Sequence, residues 1–203
     1  MKYIDPSKQS QRENYRLLTS TVIPRPIAFV TSQNEAGTVN AAPFSFFNVV
    51  ASSPPLIAIS VGRRDGKTVK DTGKNILTNQ EFVVHIVDEA MIQQVDDAAA
   101  EFPSNVSEVE QVGLTLTESK IVSVPSIQEA KVRMECRLHK AVPLGLDDRF
   151  STDLLIGEVV MFHIADEIYE DGCVLSQKFL PIGRLGGTEY HHIGHIFSVR
   201  KQN

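Results

Sequence analysis

The residues best suited to chemistry lie in one cationic stretch. Gly62-Arg-Arg-Asp-Gly-Lys-Thr68 is a polar, basic turn, and Lys70-Asp71-Thr72 leads from it into Asn75-Ile-Leu77, a short helical pattern. Asp71 or Thr72 is placed to cap that helix. Just before the turn, Leu56 to Val61 is apolar on successive residues, which predicts a strand buried on both faces. A buried strand, a glycine-containing basic loop and a helix N-terminus together suit an anion. Main-chain N–H groups and the positive end of the helix dipole both favour a phosphate there. The same residues also read as a solvated loop followed by an ordinary capped helix, and the pattern alone leaves both readings open.

Other candidates are weaker. His191, His192 and His195 are spaced as metal ligands could be, but Gly194 interrupts them and no cysteine or placed carboxylate completes a zinc set. No metal is expected. His85 falls in a buried strand pattern and reads as a satisfied core residue, while His139 and His163 lie near the ends of two long strands, where either could face a cleft. Neither has a carboxylate beside it in sequence, so no catalytic acid or base is assigned. Cys136 sits on the apolar side of an alternating strand and reads as packing rather than a nucleophile. Phe44, Phe46, Phe47 and Tyr190 could stack on a flat ring, and Ser45, Ser60 and Thr72 could hydrogen-bond a ligand. The chain contains no Gly-x-x-x-x-Gly-Lys-Ser/Thr loop, no strand-linked Gly-x-Gly-x-x-Gly and no Gly-x-Ser-x-Gly elbow. Gly183-Arg-Leu-Gly-Gly187 lacks a strand-to-helix setting and reads as a flexible loop.

The elements that must position these residues are mostly strands. Residues 11–18 suit a short helix ahead of a β-rich stretch, Thr19–Ile23, and Pro24-Arg25-Pro26 is extended. Ile27–Ser32 and Thr38–Ala42 read as a hairpin around Asn34-Glu-Ala-Gly37, with Pro43 at the second strand's end. Pro54-Pro55 marks a strand boundary or an edge. Phe82–Val87 is a further apolar strand, and residues 88–100 look helical with Met91, Ile92 and Val95 on one side. Ser107–Val112 is a weaker helical turn, stopped by Gly113. In 131–139, Val132, Met134, Cys136 and Leu138 alternate with charged residues, which predicts an antiparallel strand with one wet face. Leu154–Ile164 is a second long strand in which Gly157 marks a bulge or a close approach. Pro143–Thr152 reads as a polar loop between them, and His195–Val199 as a short final strand. About seven or eight strands with few helices favour a closed or nearly closed antiparallel barrel.

Composition sets the bounds. At 203 residues the chain is expected to form one domain over 1–203, and 42% hydrophobic with 22% charged residues is a globular balance. A net charge of -5 argues against nucleic acid as a partner. No run approaches the length of a membrane span, and Met1-Lys-Tyr-Ile-Asp-Pro6 lacks a signal-like apolar core. Two unpaired-looking cysteines, Cys136 and Cys173, point to reduced thiols and a cytoplasmic setting.

Six segments occur in a telling order: Pro24-Arg-Pro-Ile-Ala-Phe-Val30, Asn40-Ala-Ala-Pro-Phe-Ser-Phe-Phe-Asn48, Ser53-Pro-Pro-Leu56, Lys70-Asp-Thr72 with Asn75, Glu81-Phe-Val-Val84 and Leu155-Ile-Gly-Glu-Val159. Together they resemble the flavin reductase-like, FMN-binding split-barrel family, in its flavoredoxin-type branch, from about Ile23 to Tyr190. The resemblance implies a mainly β, Greek-key split barrel with a few short peripheral helices, a homodimer, and FMN in a cleft near the subunit interface. It implies that Ala42, Pro43, Phe44 and Ser45, with Ser60, Val61 and Gly62, contact the ring. Arg63 or Arg64, with Lys70, Asp71 and Thr72, would lie near the phosphate, Asn75 would also bind the cofactor, and Tyr190 would close over the ring. It further implies hydride or electron transfer from NAD(P)H through flavin to free flavin, ferric iron or a partner. A flavoredoxin-like electron carrier without nicotinamide turnover is the alternative, and a barrel that has lost its ligand is a third.

Overall fold

The computed structural model describes residues 1–100, 102–103, 105–146 and 149–199, without the side chains of 146, 149 and 150. Seven strands form its main sheet: β1 (Ala28–Gln33), β2 (Val39–Phe44), β3 (Phe47–Ser52), β4 (Pro55–Gly62), β5 (Glu81–Ile86), β6 (Val132–Leu146) and β7 (Arg149–Ile164). Their order is β2-β1-β5-β6-β7-β4-β3, with antiparallel neighbours throughout. The sheet curls until β2 comes back into contact with β4 without joining its ladder. The result is a mainly β barrel, split on that side. Short helices lie around it: α1 (Gln11–Thr21), α2 (Asp71–Asn79), α3 (Ile92–Asp97), α4 (Glu108–Gln111) and α5 (Ser176–Phe179).

Two-residue alternation decides what goes inside. Ala28, Val30, Ile57, Ile59, Val61, Phe82, Val84, Met134, Cys136 and Leu155 meet in one interior cluster. Each fully buried Phe or Ile side chain there contributes about 1.5–3 kcal/mol. The opposite face of β1 and β2 presents Phe29, Val39 and Ala41, with Ile27 just before β1, to Met91, Val95 and Val109, so the short helices cover that side. Gly157 fits both sequence readings: the β6–β7 register shifts between Ile156 and Gly157, and an added Cβ would collide with the Phe82 ring.

Several elements differ from expectation, each for a local reason. Thr19–Thr21 extends α1 rather than starting a strand. The hydroxyls of Thr19, Ser20 and Thr21 donate to the Tyr15, Arg16 and Leu17 carbonyls at 2.9, 2.7 and 2.7 Å. A reciprocal capping box between Ser10 and Glu13 starts the helix. Pro43 lies inside β2, opposite Phe29, and is tolerated because β2 is an edge strand. In β4 only Ile57, Ile59 and Val61 are buried; Leu56, Ala58 and Ser60 are half-exposed, so the run has one covered face rather than two. Pro143–Thr152 is not a loop. β6 and β7 continue as a hairpin arm in which Pro143 pairs opposite Asp153, while residues 147 and 148 lie outside the described ones. Beyond Arg137, β6 no longer pairs with β5, which frees that edge for a proline.

Gly183-Arg-Leu-Gly-Gly187 is pinned rather than flexible. Gly183–Arg184 pairs with Arg25–Pro26 on one side and Tyr190–His191 on the other, and Leu185 N–H donates to Glu189 O at 2.9 Å. His195–Val199 forms no strand, and Ile196, Phe197 and Val199 stay exposed.

The wet face predicted for 131–139 is present at Arg137 and His139, which are exposed, and in part at Lys131 and Arg133, but it is covered at Glu135. Glu135 is 0% exposed. Its carboxylate accepts the N–H groups of Lys120, Ile121 and Val122 at 2.6, 2.6 and 2.9 Å, and His163 Nε2 lies 2.5 Å away. This clasp holds the 119–125 segment onto the barrel. Burial works to raise the Glu135 pKa, but the three N–H donors and His163 outweigh it and hold the carboxyl below its usual range. His85 is a satisfied core residue as expected: Nδ1 lies 2.8 Å from Phe29 O, and Nε2 accepts the Ile127 N–H at 2.9 Å. Burial depresses its pKa to about 3, so the ring stays neutral.

Candidate functional site

On the side of the barrel where it splits, β2 runs past the N-terminus of α2 and the chain beyond α3 folds over both. A cleft of about 280 Å³ lies between them. Ala42, Pro43 and Phe44 of β2 form one wall, and Ala98, Ala99 and Phe102 form the facing one. Arg64, Lys70, Asp71 and Thr72 close one end, and Glu108 reaches in from α4.

Local sequence explains the charged end. Arg64 and Thr68 exchange backbone bonds at 2.8 and 2.9 Å, closing a tight turn in which Asp65 and Gly66 both take positive φ. The turn brings Arg64 within 3.5 Å of Asp71. Lys70, not Asp71 or Thr72, is the N-cap of α2, and it makes no side-chain cap bond. Asp71 and Thr72 are therefore the first helical residues, and they line the cleft at a helix start that lacks the capping box of α1. Thr72 is buried, with Oγ1 2.9 Å from the Asn40 amide.

Asn40 also links to Glu108. With its oxygen toward Thr72, its nitrogen donates to Glu108 Oε1 at 3.2 Å, while the Ala41 N–H donates to Glu108 Oε2 at 2.8 Å. Burial pushes the Glu108 carboxyl above its usual range and the nearby Asp71 adds to this, whereas the Ala41 N–H pulls it back.

Two further cavities continue the cleft. One of about 220 Å³ shares Pro43 and Ala99 with it and reaches Ser45, Arg25 and Tyr190. The Arg25 guanidinium donates to the Thr19, Val22 and Leu185 carbonyls at 2.7, 2.7 and 2.8 Å, tying α1 to the Gly183–His191 turn. Tyr190 donates to Asp96 and lies under Arg184, whose guanidinium carbon is 4.3 Å from the ring centroid. Burial and Asp96 push its phenol up to about 12. The other cavity, an apolar trough of about 410 Å³, shares Arg25 and Ser45 with the second and runs to Phe46, Ala58 and Ser60.

Of the residues singled out from sequence, Ala42, Pro43, Phe44, Arg64, Lys70, Asp71 and Thr72 meet in the first cleft. Ser45 and Tyr190 lie in the second cavity, and Ser60 in the third. Val61, Gly62, Arg63 and Asn75 line none of the three. Val61 points into the barrel interior, Arg63 forks onto Asp153 (2.8 Å from Nε), and Asn75 donates to Ser32 Oγ at 3.2 Å. Sequence reasoning passed over Glu108, Ala98, Ala99 and Phe102. Ala98, Ala99 and Glu108 come from stretches that read only as peripheral helix and Phe102 from the link between them, and nothing local signals that they fold over β2.

Among the described residues, no group of three or more His, Cys, Asp or Glu side chains could hold a metal ion. No helix among them is long and apolar enough to cross a membrane. The cleft instead combines an apolar slot with polar groups and a cationic end. That combination fits a flat ring carrying a polar tail and an anion.

Comparison with known proteins agrees with the fold. The pattern described as "Flavin reductase like domain" matches residues 19–180. A Bacillus subtilis protein, YwrF, is 48% identical over 193 residues, covering 94% of this chain and 94% of that one. Nitrilotriacetate monooxygenase component B from Bacillus cereus superposes with a TM-score of 0.96 at 47% identity, covering 98% of both chains. The 2-nitrobenzoate 2-nitroreductase NbaA of Pseudomonas fluorescens gives a TM-score of 0.89 at 34% identity, over 99% of this chain and 96% of its own.

Proposed function

This chain belongs to the flavin reductase like domain family, and from that premise we propose that it is an FMN-binding oxidoreductase of flavin reductase type. It would pass hydride or electrons from NAD(P)H through flavin to an acceptor such as free flavin, ferric iron or a partner. One observation carries the reading: a single cleft joins the Ala42–Phe44 slot to the Arg64, Lys70 and Thr72 corner. The slot is apolar and fits a ring, and the corner offers cations and helix N–H groups to a phosphate.

FMN, when bound, supplies the hydride and electron chemistry itself, and the protein supplies binding, orientation and electrostatics. Lys70, Thr72 and the first-turn amides of α2 would hold the phosphate. Arg64 shares its charge with Asp71, which leaves Lys70 as the principal cation at that corner. Ala42, Pro43 and Phe44 would support the ring face, and Tyr190, anchored by Asp96 and Arg184, would border it on the side of Ser45. No side chain is asked to act as acid or base. The reading carries with it a cytoplasmic protein that works as one unit over 1–203.

The apolar trough bears on assembly. Leu18, Val22, Phe46, Val49 and Val50 are exposed along it and along edge strand β3, with Val49 at 70%. Such a surface suits a second copy of the chain, and hence a homodimer. It also suits a docked redox protein, which favours the electron carrier as the second reading. Anaerobic addition of NADH or NADPH to the flavin-loaded protein separates them. Rapid bleaching supports the reductase; no bleaching, with reduction only by a partner protein, supports the carrier.

A further inference from the structure

Glu108 is a buried carboxylate, 9% exposed, in the wall of the cleft. A carboxylate has roughly four acceptor sites. Glu108 uses one on the Ala41 N–H, one on the Asn40 amide and one on its own main-chain N–H, which leaves about one open. Burying a charge this way is costly unless further donors arrive. The donors already present also fix its place. Ala41 adjoins the apolar slot, and Asn40 touches Thr72 at the cationic corner, so Glu108 stands between the two ends.

The occupant that suits that middle position is neutral and able to donate. An anion there would face both Glu108 and Asp71, and the cations that could offset them, Arg64 and Lys70, belong to the corner. Hydroxyl groups fit. Resting on the flavin reading above, we propose that Glu108 receives a hydroxyl group of the polyol chain that links a flavin ring to its phosphate. Glu108 thereby selects ligands in which a hydroxylated spacer separates a flat ring from an anion. Its raised pKa is consistent with a carboxylate short of partners until such a ligand binds.

Titration of wild-type protein and Glu108→Gln with FMN, riboflavin and lumiflavin tests this, since lumiflavin keeps the ring but lacks the polyol. Hydrogen bonds to a charged acceptor exceed neutral ones by enough that E108Q should weaken FMN and riboflavin by about tenfold each. Lumiflavin should change by less than about twofold, having no hydroxyls to lose. Equal weakening of all three ligands overturns the proposal in favour of a purely structural role. Tighter FMN with unchanged riboflavin overturns it in favour of simple charge repulsion, and no change in any ligand overturns it outright. If wild type binds none of the three, the flavin reading falls with it; wild-type binding that E108Q leaves untouched sinks only the role of Glu108. Should E108Q fail to fold, the wild-type protein still decides: riboflavin must bind at least about tenfold more tightly than lumiflavin, and equal affinities overturn the proposal.

Discussion

Two buried glutamates, Glu135 on β6 and Glu108 on α4, are treated differently. Glu135 is saturated: three backbone N–H groups and His163 surround its oxygens, and its pKa is held below the usual range. Glu108 has three donors, one of them its own N–H, lines an open cleft, and has its pKa pushed up by burial. A buried charge whose partners all come from the chain is part of the scaffold. One whose partners fall short has acceptor capacity left over, which is the capacity the proposal assigns to a ligand.

Substitutions break the comparison in order of size. Glu135→Leu should have the largest effect, because it leaves the Lys120, Ile121 and Val122 amides without their acceptor. A loss of about 3–5 kcal/mol is expected, seen as a large drop in Tm, with flavin affinity of the folded protein unchanged. A variant that melts like wild type would show that the clasp contributes nothing. Next, replacing Lys70 and Thr72 together by Ala should weaken FMN by about 2–3 kcal/mol while changing riboflavin far less, as isothermal titration would show. Equal losses for both ligands would contradict a phosphate at that corner. Gly157→Ala should cost about 1–3 kcal/mol of stability by driving a methyl into Phe82 and Cys136, without altering the ratio of FMN to riboflavin affinity.

The smallest effect is in pH dependence, where the two carboxyls should act in opposite directions. The Glu135 pKa is depressed on folding, so its contribution is present above the unfolded value of 4.5 and lost as pH falls through the lower folded value. The Glu108 pKa is raised, so its contribution is fully present below 4.5 and lost as pH rises through the higher folded value. Denaturant melts across this range should therefore show Glu135→Gln removing an acid-side loss. In the flavin-free protein, Glu108→Gln should remove a loss on the neutral side. Slopes of the same sign for both variants would erase the distinction.

What could be read from the chain follows the range of the interactions. Strands and their interruptions were legible from local pattern: the hairpin around Asn34–Gly37, the boundary at Pro54-Pro55, the close approach at Gly157, and His85 in the core. The charged corner was legible because Arg64, Lys70, Asp71 and Thr72 are nearly contiguous, and they do share one cleft. Glu135 was not. Alternation put it on the solvent side of β6, and only a segment ten to fifteen residues earlier in the chain covers it. Its partner His163 is set by the β6–β7 register, so no carboxylate near it in sequence could reveal the pair. Glu108 hid in a weak helical turn for the same reason: its value comes from folding over Asn40 and Ala41, far away in sequence.

A crystal structure of the protein with FMN tests the central claim most directly. The phosphate is expected within hydrogen-bonding distance of Lys70 and the first-turn amides of α2, with the ring against Ala42–Phe44. FMN seated elsewhere, with the Lys70–Thr72 corner empty, would contradict it.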